Sequence, residues 1–300
     1  MILRPSLYAL AAVLALASGP ALCAPRAAAR PAKPAAAPAD PPVRYVVRRG
    51  DTLFDLGRAY LRKANDYRHV QRANQISRPR AMPVGKTLTI QADLLKTQPI
   101  DARLSAFSGK VEIETDGRRV PAEKGMTLRE GQRVITGPGA FATFEMEDAS
   151  RVTLPSNTAM RVVRLRNVVL TNAPQRVFGL DEGRSAIQAT PDPNPNARFE
   201  VRTPVSISAV RGTEFRVAAT EGRAQTEVLK GAVGVGPGEA PPLGPPVPAG
   251  FGVTVTPGGA GVGAPVALLP APTLNAADQN QTDRTVHFTV HPQTLSLIHI

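Results

Sequence analysis

The chain has 300 residues, which is enough for about two domains. It contains 30 prolines, 25 glycines and no tryptophan, a composition that favours β-structure with many turns and linkers over one large helical body. The single cysteine, Cys23, excludes a fold held by disulfides and a cysteine-based metal site. The net charge of +12 is concentrated in residues 44–96, where twelve Lys or Arg stand against four Asp.

A basic region of this kind is compatible with nucleic-acid binding, with an acidic polymer as partner, or with a plain solvated surface. The region has no recognition-helix or base-stacking pattern, and export of the protein would remove the usual nucleic-acid targets. We therefore expect no nucleic-acid partner. For most of these arginines, the solvated surface and the contact with an acidic polymer both stay open.

The first 23 residues are typical of a secretory signal peptide. Arg4 supplies the positive charge, residues 7–17 the apolar core, and residues 21–23 the small-residue end. The apolar run is too short to span a bilayer stably, and no later stretch reaches eighteen apolar residues. We expect an exported protein of the periplasm or cell envelope. Cys23 leaves open a second possibility, cleavage before it and lipidation, although the residue before it fits that signal poorly.

Beyond the signal, the sequence predicts two folded regions joined by linkers. Six Pro and nine Ala in residues 24–43 cannot bury a core and predict an extended tether. The predicted order is then a small module at 44–92, a connector at 93–103, a larger domain at 104–256 and a Gly/Pro-rich linker at 257–282.

Residues 283–300 contain one alternating strand, which cannot be stable alone and predicts the start of a further β domain that is not completed here. The last six residues, from Leu295, are similar to a translated sequencing-adapter end. We expect these last residues to be an artefact and not a native terminus.

The small module has an α+β pattern of strand, helix, helix and strand. Residues 45–48 form the first predicted strand, and the Gly-Asp pair at 50–51 predicts a turn before Thr52, which can cap a helix. Apolar residues at three- and four-residue spacing follow, and a second helix is predicted from Asn65. Residues 87–90 alternate as the closing strand.

Several residues of this module recur at a spacing that covers its whole length: Tyr45-x-Val47-x-x-Gly50-Asp51-Thr52-Leu53, then Asn74, then Pro83-x-Gly85-x-x-Leu88-x-Ile90. This pattern resembles the LysM module, a small βααβ domain that binds N-acetylglucosamine-containing polymers such as peptidoglycan and chitin. The sequence departs from the family at Phe54, where an indole is common, and in an arginine-rich segment between the helices.

The resemblance implies a glycan site. In the family, sugar lies in a shallow groove between the loop after the first strand and the loop after the second helix. Loop amides and short polar side chains can satisfy the acetamido group, while Ile76 and Pro79 offer apolar contact to a ring face. By position, the candidate glycan-binding residues are Gly50, Asp51, Thr52, Leu53, Asn74, Gln75, Ile76, Ser77, Arg78 and Pro79.

A structural role is the alternative for three of these side chains. Asp51 and Thr52 can serve only to cap the first helix, and Asn74 can serve only to end the second. This alternative applies to each side chain taken singly and not to the two loops together.

From residue 104 the sequence changes to short alternating strands with a turn every eight to twelve residues, usually at Gly. About 150 residues of this pattern predict an all-β domain large enough to bury a core. Its most specific residues are Thr203-Pro204 and Arg211-Gly212-Thr213-x-Phe215, with Val228-Leu229-x-Gly231-x-Val233 near the end.

These residues resemble the periplasmic FecR-type domain, which implies a solenoid- or sandwich-like all-β fold. The family takes its name from regulators that signal inward through a membrane-spanning, sigma-binding segment. Because no such segment is found in this sequence, we expect the fold to carry over and the sigma-regulatory role not to.

Within this domain, Arg211, Gly212 and Thr213 are candidate interaction residues, because an Arg beside a close backbone approach can hold a carboxylate. The alternative is structural. Gly212 would form a bulge or turn, Thr213 would bond the backbone locally, and Arg211 would brace a neighbouring carboxylate.

Catalysis must be considered because LysM modules often accompany wall hydrolases. No histidine occurs between residues 70 and 286, which leaves no cluster for a zinc hydrolase. Neither a Gly-x-Ser-x-Gly elbow nor a Ser-x-x-Lys pair stands out. His287 and His291 lie four residues apart near the end and are only a weak metal candidate. We expect a protein that is not an enzyme and needs neither metal nor cofactor.

These patterns together predict a multidomain, exported cell-envelope protein that binds peptidoglycan through residues 44–92. It would present a FecR-like β domain to a protein or ligand. The alternative is an envelope sensor whose β domain binds a partner protein, with the small module only localising it. The expected partners are peptidoglycan and an unidentified envelope protein, with membrane contact only if Cys23 is lipidated.

Overall fold

The computed structural model describes residues 40–220, 222–238, 243–257 and 261–269, which belong to one compact unit beginning at Pro38. The predicted signal peptide, most of the N-terminal linker and the predicted strand in residues 283–300 lie outside the described residues. Within the described ranges, the structure contains no helix with the length and apolar character needed to cross a membrane.

The small module has the predicted strand–helix–helix–strand order. Its elements are β1 (Val43–Val46), α1 (Leu53–Tyr60), α2 (Tyr67–Ala73) and β2 (Thr87–Ile90), and a 3-10 turn at Ala64–Asp66 precedes α2. The strands pair antiparallel with Tyr45 opposite Leu88. The small α+β part of the predicted fold is therefore confirmed.

A side-chain cap at Thr52 starts α1. The Thr52 hydroxyl accepts a hydrogen bond from the Asp55 backbone N–H at 3.1 Å and donates to the Asp55 carboxylate at 2.6 Å. This arrangement satisfies one orphan donor of the first turn and fixes the direction in which the helix leaves the loop. Leu53 and Leu56 then turn inward with Val70 of α2 to form the core of the module.

Asparagine side chains pair with both strands of the two-stranded sheet. On β2, the Asn74 amide donates to the Thr89 carbonyl at 2.8 Å and accepts from the Thr89 N–H at 2.7 Å. On β1, Asn196 of the second domain makes the same two bonds with Arg44, each at 2.9 Å. Because an isolated pair of strands is only marginally stable, these amides support the sheet by supplying the bonds that a third and a fourth strand would make.

The larger domain is all-β, as predicted, and contains eighteen strands among the described residues. In chain order these are β3 (Thr97–Pro99), β4 (Ala102–Ser108), β5 (Val111–Thr115), β6 (Arg118–Pro121), β7 (Thr127–Leu128), β8 (Arg133–Thr136), β9 (Phe141–Met146), β10 (Arg151–Leu154), β11 (Thr158–Val168), β12 (Ala173–Gln188), β13 (Arg198–Arg202), β14 (Ser206–Val210), β15 (Glu214–Thr220), β16 (Arg223–Lys230), β17 (Ala232–Pro237), β18 (Val247–Pro248), β19 (Phe251–Val255) and β20 (Val266–Ala267).

Two sheets enclose the core of this domain. Sheet I has the order β6-β5-β8-β11-β12-β13-β14-β17-β18, with β3 on the far end of β11. Sheet II has the order β7-β4-β9-β10-β12-β15-β16-β19-β20. The pairing is antiparallel except between β12 and β13.

The long strand β12 belongs to both sheets. Its first part, to Glu182, pairs with β11, and the part from Gly183 to Gln188 pairs with β15. Gly183 has a φ of +89°, and an added Cβ would lie 2.5 Å from the Asn157 carbonyl oxygen. A glycine is therefore required where the strand passes from one sheet to the other.

Alternating residues of both sheets fill one apolar core. Phe144 and Phe215 of sheet II are buried with Val162, Phe178 and Val201 of sheet I in one cluster. The intervening positions carry Arg and Glu that pair on the outer faces, which is the alternation the sequence predicts. The larger part of the predicted fold is therefore confirmed as well.

Parts of the predicted connector and of the predicted Gly/Pro-rich linker belong to folded strands. In the connector 93–103, Leu95 is buried, β3 pairs with β11, and β4 already begins at Ala102. Beyond residue 256, β20 pairs with β19 and so adds part of the predicted Gly/Pro-rich linker to the β domain. The sequence did not reveal either pairing because each strand is only two or three residues long.

The hairpin between β11 and β12 packs against the small module. Val168 and Ala173, at its two ends, are buried in the cluster formed by the module's core, and Leu170 at the tip packs against that cluster. The Val169 N–H donates to the Lys96 carbonyl at 3.1 Å. The hairpin thus completes the core of the small module, and the two domains form one packed body.

Candidate functional site

The two loops predicted to bind glycan lie side by side. The Leu53 N–H donates to the Pro79 carbonyl at 2.8 Å, which joins the loop after β1 to the loop after α2. Gly50, with a φ of +92°, allows the first loop to turn, and Gln75, with a φ of +51°, turns the second. The structure therefore brings together the two segments that the LysM resemblance assigned to one groove.

Three polar side chains of these loops are occupied by structural bonds. An Asp51 carboxylate oxygen accepts from the Tyr45 hydroxyl at 2.8 Å and from the Arg48 N–H at 2.7 Å. Thr52 caps α1, and Asn74 bonds to the end of α2 and to β2. The structural alternative therefore describes Thr52 and Asn74, whereas Asp51 bonds within the loop after β1 and does not cap the first helix.

Tyr45 reports on the same arrangement. Its side chain is buried, and burial together with the hydrogen bond to the Asp51 carboxylate raises the pKa of Tyr45 to about 12. A buried phenol that donates to a carboxylate holds the loop after β1 in one position. If the loop moved, the phenol and the carboxylate would each lose a hydrogen-bond partner.

Apolar contact with a sugar ring is available from one of the two predicted residues. Ile76 is only 6% exposed and packs in the core of the module, as does Leu53. Pro79 is half-buried at the surface between the loops. The ring-face contact predicted for both Ile76 and Pro79 is therefore open in this structure only at Pro79.

Backbone amides are among the groups of the two loops that make no hydrogen bond within the described part of the protein. Within the described part of the chain, the N–H groups of Thr52, Ser77 and Arg78 make no hydrogen bond to other protein groups. Ser77 and Arg78 are exposed, and Thr52 is partly so. Amides of this kind are suited to a neutral acceptor such as an acetamido carbonyl, and they need no particular side chain.

Exposed arginines flank these amides. Arg48 and Arg49 precede the first loop, Arg78 and Arg80 lie in the second, and all four are exposed. In residues 44–96, all of which the structure describes, no Lys or Arg lies within ion-pair distance of a carboxylate. The four arginines therefore give the rim of the groove a positive charge, although the Asp51 carboxylate lies in the first loop.

In the β domain, the structure places Arg211, Gly212 and Thr213 at the turn between β14 and β15. Arg211 is exposed and donates only to the Pro195 carbonyl, at 3.3 Å. An added Cβ on Gly212 would lie 2.5 Å from Pro191, and Thr213 is buried with its hydroxyl on the Ala232 carbonyl at 3.2 Å. Of the three side chains, only Arg211 is therefore accessible to a partner.

Two other features of the β domain bear on its chemistry. An open hollow of about 500 Å³ is lined by polar groups that include Asp181, Glu182 and Arg223. On the outer face of sheet I, Asp40 pairs with Arg164 at 3.0 Å and with Arg198 at 3.1 Å. Among the described residues, no three His, Cys, Asp or Glu side chains are grouped as a metal site would need.

Sequence reasoning missed the surface next to the groove. Phe54 and Tyr67 meet edge to face with ring centroids 6.1 Å apart. The guanidinium groups of Arg58 and Arg68 lie over the two rings, each 5.9 Å from a ring centre. The i,i+4 spacing of Phe54 and Arg58 was a signal for this contact. The pairing of the Asn196 amide with Arg44 of β1 had no such signal, because Asn196 belongs to another domain.

Comparisons with known proteins agree with the two-domain organisation. The family model for the LysM domain matches residues 45–91, and the model for FecR protein matches residues 132–234. No curated protein matches the chain.

Two crystal structures of a proposed anti-sigma factor from Parabacteroides distasonis ATCC 8503 are similar at 19% identity, with TM-scores of 0.35 and 0.37. Each alignment covers 45% of this chain and 59% of the solved chain, so the chain spans less than two thirds of these neighbours. From the two family matches and the fold, the chain contains a LysM domain followed by a FecR domain.

Proposed function

We propose that this is a non-catalytic, exported protein of the cell envelope that binds the glycan of peptidoglycan through its LysM domain. The FecR domain, fixed to the LysM domain by the β11–β12 hairpin, would be presented to a protein partner in the periplasm. The observation that carries the proposal is the pair of joined loops in which the N–H groups of Thr52, Ser77 and Arg78 are free.

The chemistry of the groove fits an N-acetylated sugar. Amide N–H groups can donate to the acetamido carbonyl, while Pro79 gives a small apolar surface to the ring. A shallow site of this size at ~1 mM affinity supplies only about −4 kcal/mol. A polymer with many equivalent sites raises retention through effective concentration, so weak binding is adequate for docking on a wall.

The test is co-sedimentation of the full chain with purified peptidoglycan at moderate and high salt, with and without N-acetylglucosamine oligomers. The full chain is needed because the hairpin residues Val168 and Ala173 form part of the LysM core. Capture that survives salt and falls with the oligomers would support the proposal. Capture abolished by salt alone would indicate simple attraction between charges and would contradict it.

A pair of variants at Ser77 makes the test specific to the amides. Ser77→Pro removes one free N–H, whereas Ser77→Ala keeps it. We expect Ser77→Pro to weaken capture by about threefold to tenfold, which corresponds to one hydrogen bond. Ser77→Ala should bind as the unchanged protein does. A melting curve of each variant shows whether the loop change has altered stability.

The second candidate is an envelope sensor in which the FecR domain binds a signalling partner and the LysM domain localises it. The FecR match at residues 132–234 favours this alternative. Crosslinking in envelope preparations, with and without Arg211→Ala, would distinguish the two. A specific FecR-domain crosslink that persists when glycan binding is blocked would favour the sensor role over the glycan-docking role.

The non-catalytic part of the proposal is supported by the structural contacts of several acidic residues: Asp55 bonds to the helix-capping Thr52, and Asp181 pairs with Arg133 and Arg161. Incubation of the protein with peptidoglycan, followed by chromatography of the soluble fragments, tests it. Release of fragments above the level of a buffer control would overturn this part and leave glycan binding intact.

A further inference from the structure

Two aromatic rings and two guanidinium groups adjoin on α1 and α2, where Phe54 and the two arginines are exposed and Tyr67 is half-buried against the core. We call Phe54, Arg58, Tyr67 and Arg68 the aromatic–arginine patch. Phe54 is 51% exposed, which is unusual for a side chain that does not enter the core. The Arg58 guanidinium lies 5.9 Å from the Phe54 ring centre, and Arg68 lies 5.9 Å from that of Tyr67.

The two domains differ in how many of their basic side chains form ion pairs. In the LysM domain, all of whose residues are described, no Lys or Arg lies within ion-pair distance of any of the four Asp carboxylates. In the described part of the β domain, eleven Lys or Arg side chains make ion pairs with carboxylates. The cationic charge of the LysM domain is therefore available to an external anion.

The patch adjoins the glycan groove. Phe54 directly follows Leu53, whose N–H bonds to Pro79 of the second loop. A polymer bound across the loops would therefore lie beside the patch. A guanidinium that lies over a ring face is attracted to it and keeps N–H groups free for bonds to a carboxylate.

We propose that the aromatic–arginine patch is a second contact surface of the LysM domain, one that binds the carboxylates of the peptide side chains carried by the wall polymer. The proposal rests on the proposed glycan function and adds its selectivity. The groove binds the sugar, and the patch gives peptide-bearing peptidoglycan a higher affinity than a neutral N-acetylglucosamine polymer. Charge complementarity and continuity with the groove select this occupant over an unrelated anion.

The test compares three ligands with the full chain: intact peptidoglycan, peptidoglycan stripped of its peptides by an amidase, and vesicles of anionic phospholipid. The variant Arg58→Gln with Arg68→Gln removes both patch charges while keeping most of each side chain. The matched control is Arg118→Gln with Arg129→Gln, two exposed FecR-domain arginines without ion pairs. Arg58→Lys with Arg68→Lys restores the charge without the planar fork.

We expect the patch variant to bind intact peptidoglycan about fivefold more weakly, as two exposed charge contacts predict, and to bind the stripped polymer unchanged. The lysine variant should recover part of the loss, and the control should show none. Equal loss on both polymers, or no loss, would overturn the proposal. A loss confined to vesicles would assign the patch to lipid instead. If the unchanged protein binds neither polymer, the proposed function itself fails.

Discussion

The Asn74 side chain shows how a single residue can support an element. It donates to the Val70 and Thr89 carbonyls at 2.9 and 2.8 Å and accepts from the Thr89 N–H at 2.7 Å, so it ends α2 and pairs with β2 at once. We expect Asn74→Ala to lower the free energy of unfolding by about 1 kcal/mol, measured by urea denaturation. The control is Gln91→Ala, whose exposed side chain makes no hydrogen bond.

Gly212 tests whether the turn after β14 is set by packing. Gly212 and Gly139 have almost the same φ, +67° and +66°. An added Cβ meets Pro191 at 2.5 Å in the first case and nothing within 4 Å in the second. Gly139→Ala should cost about 1 kcal/mol from backbone strain alone. Gly212→Ala should lower the melting temperature clearly further than Gly139→Ala does. Equal effects would show that Pro191 can move aside without loss of stability.

Tyr45 gives the pH dependence of the LysM core. Because burial and the Asp51 carboxylate raise its folded pKa to about 12, above the usual value of about 10, the folded state holds the phenol proton more tightly. This contribution to stability is present below pH ~10 and is lost as the pH rises through the folded pKa. Ultraviolet titration should show one tyrosine ionising last, and Tyr45→Phe should remove that step.

At the scale of elements, the β11–β12 hairpin determines how the domains are joined. Leu170 at its tip lies against α1 and α2, lining a small cavity with Leu53 and Val70. Leu170→Asp would place a charge there, and we expect it to lower stability by about 2 kcal/mol through lost apolar burial. Hydrogen exchange should speed up in residues 43–95 more than in the β core.

Leu269→Asp is the control for this prediction, because Leu269 is 69% exposed and the same change should leave exchange in the LysM domain unaltered. Equal acceleration across both domains would instead indicate that the two unfold as a single unit.

The helices and strands that the sequence predicted are those with local signals. The capping residues Thr52 and Asp55, and the alternation in β15, depend on neighbours within a few positions. The elements that were missed depend on distant partners. β3 is a strand only because β11 passes beside it. The bonds between β1 and Asn196, 152 residues away from Arg44, were likewise absent from the local sequence pattern.

The same distinction explains the site. The loops were predicted by position, because the spacing of Gly50 and Asn74 is a property of the sequence. Which groups remain free in them depends on three-dimensional contacts that occupy Asp51 and Asn74 and bury Ile76. The sequence offered both loop amides and short polar side chains as candidate ligands, and residue types alone could not predict which of them stay free.

At the scale of the whole molecule, the LysM groove is held in a fixed orientation on the FecR domain. The fixation comes from β3 pairing with β11, from the hairpin tip, and from the paired amide of Asn196. A ligand in the groove would therefore orient the FecR domain relative to the wall, and would not merely tether it.

The most direct test of the account is a titration of the isotope-labelled full chain with N-acetylglucosamine oligomers, followed by backbone amide chemical shifts. We predict that the largest changes fall on Thr52, Ser77 and Arg78, whose N–H groups are free in this structure. We predict little change at Leu53, whose N–H is already bonded to Pro79. Absence of shifts at oligomer concentrations of several mM, or shifts centred in the FecR domain, would contradict glycan binding by the LysM loops.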